Sequence, residues 1–184
     1  MKFENTTQLR IAKIRQKMGD LGLDALYLRG TTNLAWATGF DGVFDEEKAH
    51  LLLVTPTQVF LHTDFRYSVA FANAAEETEV VVSDRRVSHL EYALEALGTW
   101  GSGFRLGIED TCELREFRAM EARLAKESVP LALVETTGLV ESLRECKDAV
   151  EIGYMRKAQA VTDAGFAHIC SYIKEGMTER QVQR

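Results

Sequence analysis

Leu51-Leu52-Leu53-Val54-Thr55-Pro56-Thr57-Gln58-Val59-Phe60-Leu61-His62 is the stretch that decides the fold. Two apolar tetrads flank a polar one, and Pro56 presets a turn dihedral while removing an amide that a continuing strand would need. The stretch therefore reads as a β-hairpin, which supplies at least one antiparallel strand pair. On its N-terminal side, Asp24-Ala25-Leu26-Tyr27-Leu28-Arg29 is short, apolar and bounded by Gly22 and Gly30, so it reads as a buried strand. Before that strand, Ile11, Ile14, Met18 and Leu21 recur at steps of three and four between Arg10, Lys13, Arg15 and Lys17. This is an amphipathic helix from Thr6 to Leu21 that ends at Gly22.

On the C-terminal side the alternation continues. Asp64 is the expected N-cap of a helix through Ala75, because its carboxylate can accept from the free amides of a first turn. Glu79-Val80-Val81-Val82 reads as a strand, and Leu90, Ala93, Leu94 and Leu97 form the next helical face. Arg105-Leu106-Gly107-Ile108 is a strand, Leu114 to Ala125 a helix with Phe117, Met120 and Leu124 inward, and Leu131-Ala132-Leu133-Val134 a last strand. Repeated alternation of this kind predicts an α/β fold, a three-layer α/β/α arrangement around a mostly parallel sheet that the hairpin makes mixed. Thr136-Thr137-Gly138 separates the last strand from new helical material, which places a first domain over residues 1–137 and a second segment over 138–184.

Composition narrows the function. The 184 residues are 46% hydrophobic and 27% charged with a net charge of −6, which argues against a nucleic-acid or anionic-membrane surface. No apolar run approaches membrane-spanning length and the N-terminus lacks the apolar core of a secretory signal, so a cytoplasmic location is the default expectation. Cys112, Cys146 and Cys170 are an odd count without close spacing and suggest neither a disulfide framework nor a metal knuckle. His50, His62, His89 and His168 are scattered with no HExxH spacing, and no GxGxxG, Walker loop or GxSxG elbow occurs. A metal site within this chain is not expected.

The end of the chain carries a long helical pattern from Asp148 to Lys174, with Ile152, Met155, Thr162, Phe166, Ile169 and Ile173 on one face. Val150, Tyr154, Ala158, Val161, Ala164 and Tyr172 widen that face. So broad an apolar surface needs cover from a second copy or from the preceding domain, or else the helix is disordered; the plainer alternative is an amphipathic helix that closes a single domain. Gly176-Met177-Thr178-Glu179 then signals a fresh helix with Thr178 as N-cap and six residues remaining. The expectation is one complete domain followed by the opening of another.

Four segments in order carry a family resemblance. Gly39-Phe40-Asp41-Gly42 follows a short helix, and Thr63-Asp64-Phe65-Arg66-Tyr67 follows the hairpin. Leu143-Arg144-Glu145-Cys146-Lys147 leads into the helix with Glu151-Ile152 and Arg156-Lys157-Ala158, and Gly176-Met177-Thr178-Glu179 comes last. The chain resembles the creatinase/prolidase/Xaa-Pro aminopeptidase family of M24-type metallopeptidases. Residues 1–137 resemble its non-catalytic N-terminal domain, with a ribonuclease H-like motif, and the remainder resembles the first helix of its pita-bread catalytic domain. Cys146 and Phe65 depart from the aliphatic and small residues common at those positions, which leaves the subfamily open.

The resemblance implies hydrolysis of the bond before proline by two divalent metal ions, manganese, cobalt or zinc, held by two aspartates, a histidine and two glutamates. All five ligands are expected downstream of the matched segment, so this chain is expected to be inactive and to hold no catalytic residue. A proline-containing peptide as substrate and a homodimer are further implications. The glycine-hinged loop Gly39 to Lys48 pairs two aromatics with acids, and Phe40, Asp41, Phe44 and Asp45 are its candidate substrate-proximal residues, reaching across a dimer. Asp64, Arg66 and Tyr67 are read as structural, an aspartate capping a helix with its neighbours as anchors. A stand-alone peptide- or protein-binding module of the same fold is the alternative, and a creatinase-like amidinohydrolase fragment a further one.

Overall fold

A computed structural model describes residues 3–40, 42–45, 47, 49–98 and 102–183. The chain divides into two compact units, Met1–Arg144 and Glu145–Arg184. In the first unit, strands β1 (Ala25–Leu28), β2 (Leu51–Val54), β3 (Val59–His62), β4 (Val80–Ser83), β5 (Phe104–Glu109) and β6 (Leu131–Thr136) form one sheet in the order β4-β3-β2-β1-β5-β6. The hairpin is the reason the sheet is mixed: β2 runs antiparallel to both β1 and β3, whereas the β1–β5, β3–β4 and β5–β6 pairs are parallel. β1 and β2 lie at the centre and are buried along their full length, which accounts for their unbroken apolar sequences.

Alternation along the strands sends side chains to two cores. Leu26, Leu28, Leu52, Val54, Val59 and Leu61 pack under helices α1 (Phe3–Leu21), α2 (Thr31–Thr38), α3 (Ser68–Ala75) and α6 (Leu139–Glu145). Tyr27, Leu51, Leu53, Leu106 and Ile108 pack under α4 (His89–Leu97) and α5 (Leu114–Lys126) on the other face. Each fully buried aliphatic side chain contributes about 1.5–3 kcal/mol, so both layers are needed to offset the ordering of the chain. The three-layer α/β/α expectation is met.

Local departures have physical causes. In α1, Ile11, Ile14 and Met18 are buried as the period demands, but Leu21 is 50% exposed. Gly22 turns the chain at φ +63°, and Leu23 enters the core in place of Leu21. The close seating of Leu23 needs Gly107 in β5, where an added Cβ would stand 2.9 Å from the Cδ1 atoms of both Leu23 and Leu26. Asp64 does not cap a helix. Helix α3 starts at Ser68, after an N-cap position held by Tyr67 without a side-chain cap, and the Asp64 carboxylate is used elsewhere.

In the second unit, α7 (Ala149–Tyr172) opens with a capping box in which Asp148 accepts from the Val150 and Glu151 amides and Glu151 accepts from the Asp148 amide. None of its residues is buried, and Val161 and Phe166 are 74% and 71% exposed. The short α8 (Glu179–Val182) follows Thr178, the N-cap expected from the sequence. Among the described residues no helix is long and apolar enough to cross a membrane.

Candidate functional site

The carboxyl ends of the parallel strands β1, β3, β4, β5 and β6 share one edge of the sheet, and the polar side chains of the first unit concentrate there. After β1 the chain leaves to α2 on one face, and after the neighbouring β5 it leaves to α5 on the other. Divergence of two adjacent connections opens a crevice at the strand ends, the usual position of ligand clefts in open α/β sheets. Here it is a cleft of about 290 Å³ lined by, among others, Arg29, Thr31, Asn33, Cys112, Glu116 and Arg144.

Asn33 organises the floor of that cleft. Only 3% exposed, it donates through Nδ2 to Glu109 at 2.7 Å and to Glu141 at 2.6 Å, and its Oδ1 accepts from Arg144 at 2.8 Å. The other oxygen of Glu109 accepts from the backbone amides of Arg29 at 2.6 Å and Gly30 at 2.8 Å, which satisfies a buried carboxylate at the start of α2. Arg29 donates to the carbonyl of His50 at 3.0 Å and lies 3.4 Å from Glu116, which in turn accepts from the Tyr27 hydroxyl at 3.1 Å. Burial, with Glu116 beside it, holds the Tyr27 phenol well above its ordinary range. Burial likewise pushes the Cys112 thiol up to about 11.

The sequence reading passed over Asn33, Glu109 and Glu141. The available signal was a lone asparagine in Gly30-Thr31-Thr32-Asn33, between a buried strand and a short helix, where a side chain able both to donate and to accept joins backbone and charged groups.

Further along the same edge, on the face covered by α2 and α3, the two sequence-predicted sets meet. The Tyr67 hydroxyl donates to Asp45 at 2.6 Å. Arg66 donates to Glu47 at 2.8 Å and to both oxygens of Asp64, and the Asp64 Oδ1 also accepts the Arg66 amide at 2.7 Å. The loop after α2 is thus tied by two polar contacts to the turn after β3. Hydrogen bonding to Tyr67 and to the Glu47 amide lowers the Asp45 carboxyl, and the same bond raises the Tyr67 phenol to about 12. The Arg66 guanidinium lowers the Asp64 carboxyl in the same way.

Beneath the loop, Phe44 packs edge-on to His50 with ring centroids 5.4 Å apart and lies 4.7 Å from the Phe71 ring. His50 is 2% exposed, bonded through Nδ1 to the Thr63 hydroxyl at 2.8 Å, and its burial keeps it below the ordinary histidine range. Phe40 lies in the core at 2% exposure, so contact with a substrate would require it to leave that core. Asp45 is exposed and Phe44 half-buried, and Asp41 lies outside the described residues. The histidines that look scattered in sequence are gathered by the fold: His50, His62 and His89 all stand at this edge. Among the described residues no group of three or more His, Cys, Asp or Glu is placed to hold a metal ion.

Comparison with known proteins assigns the fold to a family. The profile of the creatinase/prolidase N-terminal domain matches residues 10–146. The chain belongs to the creatinase/prolidase N-terminal domain family. It is 25% identical over 171 residues to the uncharacterized peptidase YqhT of Bacillus subtilis, covering 93% of this chain and 45% of that protein. It superposes on an Xaa-Pro dipeptidase from Bacillus anthracis with a TM-score of 0.76 and 26% identity, over 96% of this chain and 46% of that one. The N-terminal domain of a cytoplasmic peptidase, PepQ, from Mycobacterium tuberculosis matches with a TM-score of 0.57 and 28% identity, over 73% of this chain and 98% of that one. The creatinase/prolidase N-terminal chain described here thus spans less than half the length of the curated relative that it matches.

Proposed function

We propose that this chain is the N-terminal region of an Xaa-Pro aminopeptidase or Xaa-Pro dipeptidase, in which hydrolysis of a proline-containing peptide belongs to a following catalytic domain. The family match over residues 10–146 carries this reading, and the likeness to an Xaa-Pro dipeptidase supports it. Two divalent ions belong to the proposed catalytic domain. The described residues of this chain form no place for them, and no chemical step is assigned to its side chains.

In this reading residues 1–137 form the N-terminal domain, residues 138–184 carry the linker and the first catalytic-domain helix, and the protein is a cytoplasmic homodimer. The contribution of the chain is gating. The loop carrying Phe44 and Asp45 rests on a hydrophobic seat and is tied outside by Asp45–Tyr67 and Glu47–Arg66, a construction that allows it to lift and close over a neighbouring active site. Alanine at Phe44 and at Asp45 in the full-length enzyme lowers kcat/KM for an Xaa-Pro peptide if the loop contacts substrate. Unchanged kcat/KM for both variants would remove the gating role. The 184-residue chain by itself is inactive in this reading, and manganese- or zinc-dependent release of proline from an Xaa-Pro peptide by it would overturn the assignment of catalysis to another domain.

A further inference from the structure

His62 ends β3 and His89 opens α4, and their Nδ1 atoms lie 2.8 Å apart. The protonation of this pair follows from its other partners. His62 Nε2 is 2.8 Å from the carbonyl of Arg85, which can only accept, so His62 carries its proton on Nε2 and presents a bare Nδ1. His89 must then donate from Nδ1. With both rings neutral each tautomer is thus defined, and a second proton on His62 would set two N–H groups against each other at this distance unless His89 gave up its Nδ1 proton.

The surroundings oppose even one added charge. Protonation of His89 on Nε2 would keep the N–H···N bond but place a cation at the N-terminus of α4, where the helix dipole disfavours it. Arg29 after β1 and Arg85 in the turn between β4 and α4 add like charge, as does His50 before β2 when it is protonated, while the Arg85 carbonyl bonded to His62 Nε2 and the Asp84 carboxylate favour the cation. Arg85 is itself paired with Glu95 of α4, and the Tyr92 ring stacks on His62 with centroids 4.3 Å apart at 11°. Burial first and Arg29 second push His89 down to about 3, and burial lowers His62 as well.

We propose that His62 and His89 form an acid-labile latch that holds the turn between β4 and α4 against the end of β3. Two further bonds define what the latch closes: the Thr63 amide donates to the Ser83 carbonyl at 2.8 Å and the Val87 amide to the Arg85 carbonyl at 2.8 Å. When the latch opens, both rings regain the ordinary proton affinity of histidine, so the open form binds more protons than the closed one. Opening is therefore favoured as pH falls below about 6.5, and the latch is at full strength above that value. The adjacent Thr63 holds His50 beneath the Phe44 loop, so an open latch also loosens the seat of that loop. That consequence rests on the gating reading; the latch does not.

Ring ¹⁵N spectra and amide exchange on the 184-residue chain test the latch without reference to activity. At pH 7 the spectra show His62 neutral with its proton on Nε2 and His89 neutral with its proton on Nδ1. Exchange at residues 83–89, corrected for the intrinsic pH dependence of exchange, speeds up about tenfold or more between pH 6.5 and pH 5. The amides of β5 change less over the same range. An imidazolium at either position at pH 7, the opposite tautomers, corrected protection of residues 83–89 that does not change with pH, or an equal loss in β5 would each overturn the proposal.

Discussion

Replacement of Asn33 by alanine removes one side chain and strips three charged groups of a partner at once. Glu109 loses its bond at 2.7 Å, Glu141 its bond at 2.6 Å and Arg144 its bond at 2.8 Å. A hydrogen bond to a charged group contributes about 1.5–3 kcal/mol when its loss leaves that group dry. Glu141 and Arg144 line the open cleft and can rehydrate, whereas Glu109 is buried at 6% exposure and keeps only the two backbone amides on its other oxygen. The expected loss is therefore about 2–4 kcal/mol, a fall of roughly 5–15 °C in the melting temperature of a chain this size.

Asn33→Asp is the sharper test, since it sets a third carboxylate against Glu109 and Glu141. It should be at least as destabilising as alanine at pH 7 and should recover part of the loss in acid, as one of the three carboxyls takes up a proton. Thermal and urea unfolding followed by circular dichroism measure both variants. Wild-type stability in Asn33→Ala, or Asn33→Asp as stable as wild type at pH 7, would refute the role given to Asn33.

Other consequences are smaller or more local. Gly107→Ala should cost about 1–3 kcal/mol through overpacking against Leu23 and Leu26, measured by the urea midpoint. Tyr67→Phe should leave the urea midpoint nearly unchanged, as loss of an exposed bond does, yet return the Asp45 carboxyl toward its ordinary value in an NMR titration. Thiol labelling at pH 8 should modify the exposed Cys146 and Cys170 quickly and Cys112 slowly, because burial both shields that thiol and disfavours its thiolate.

What was legible in the sequence follows from which forces act locally. Pro56 between two apolar tetrads specifies the hairpin without reference to anything distant, and β2 and β3 occupy the quoted residues. Apolar period places Ile11, Ile14 and Met18 in the core, and the helix starts after Asp148 and Thr178 are likewise set locally. The helix through Ala75 forms, but the N-cap expected at Asp64 fails because an aspartate near a helix start has competing partners. Here Arg66 takes its carboxylate, and nothing in the local sequence ranks that ion pair above a cap.

By itself, the sequence determined the element order, the mixed three-layer α/β class and the family, because hydrophobic period, turn residues and caps are readable within a few positions of one another. Only the tertiary structure decided the site. Asn33 meets Arg144 across 111 positions, Tyr67 meets Asp45 across 22, and His62 meets His89 across 27. Those contacts exist because β1, β3, β4 and β5 run parallel and deliver their ends to one edge, a consequence of strand pairing that no single segment encodes.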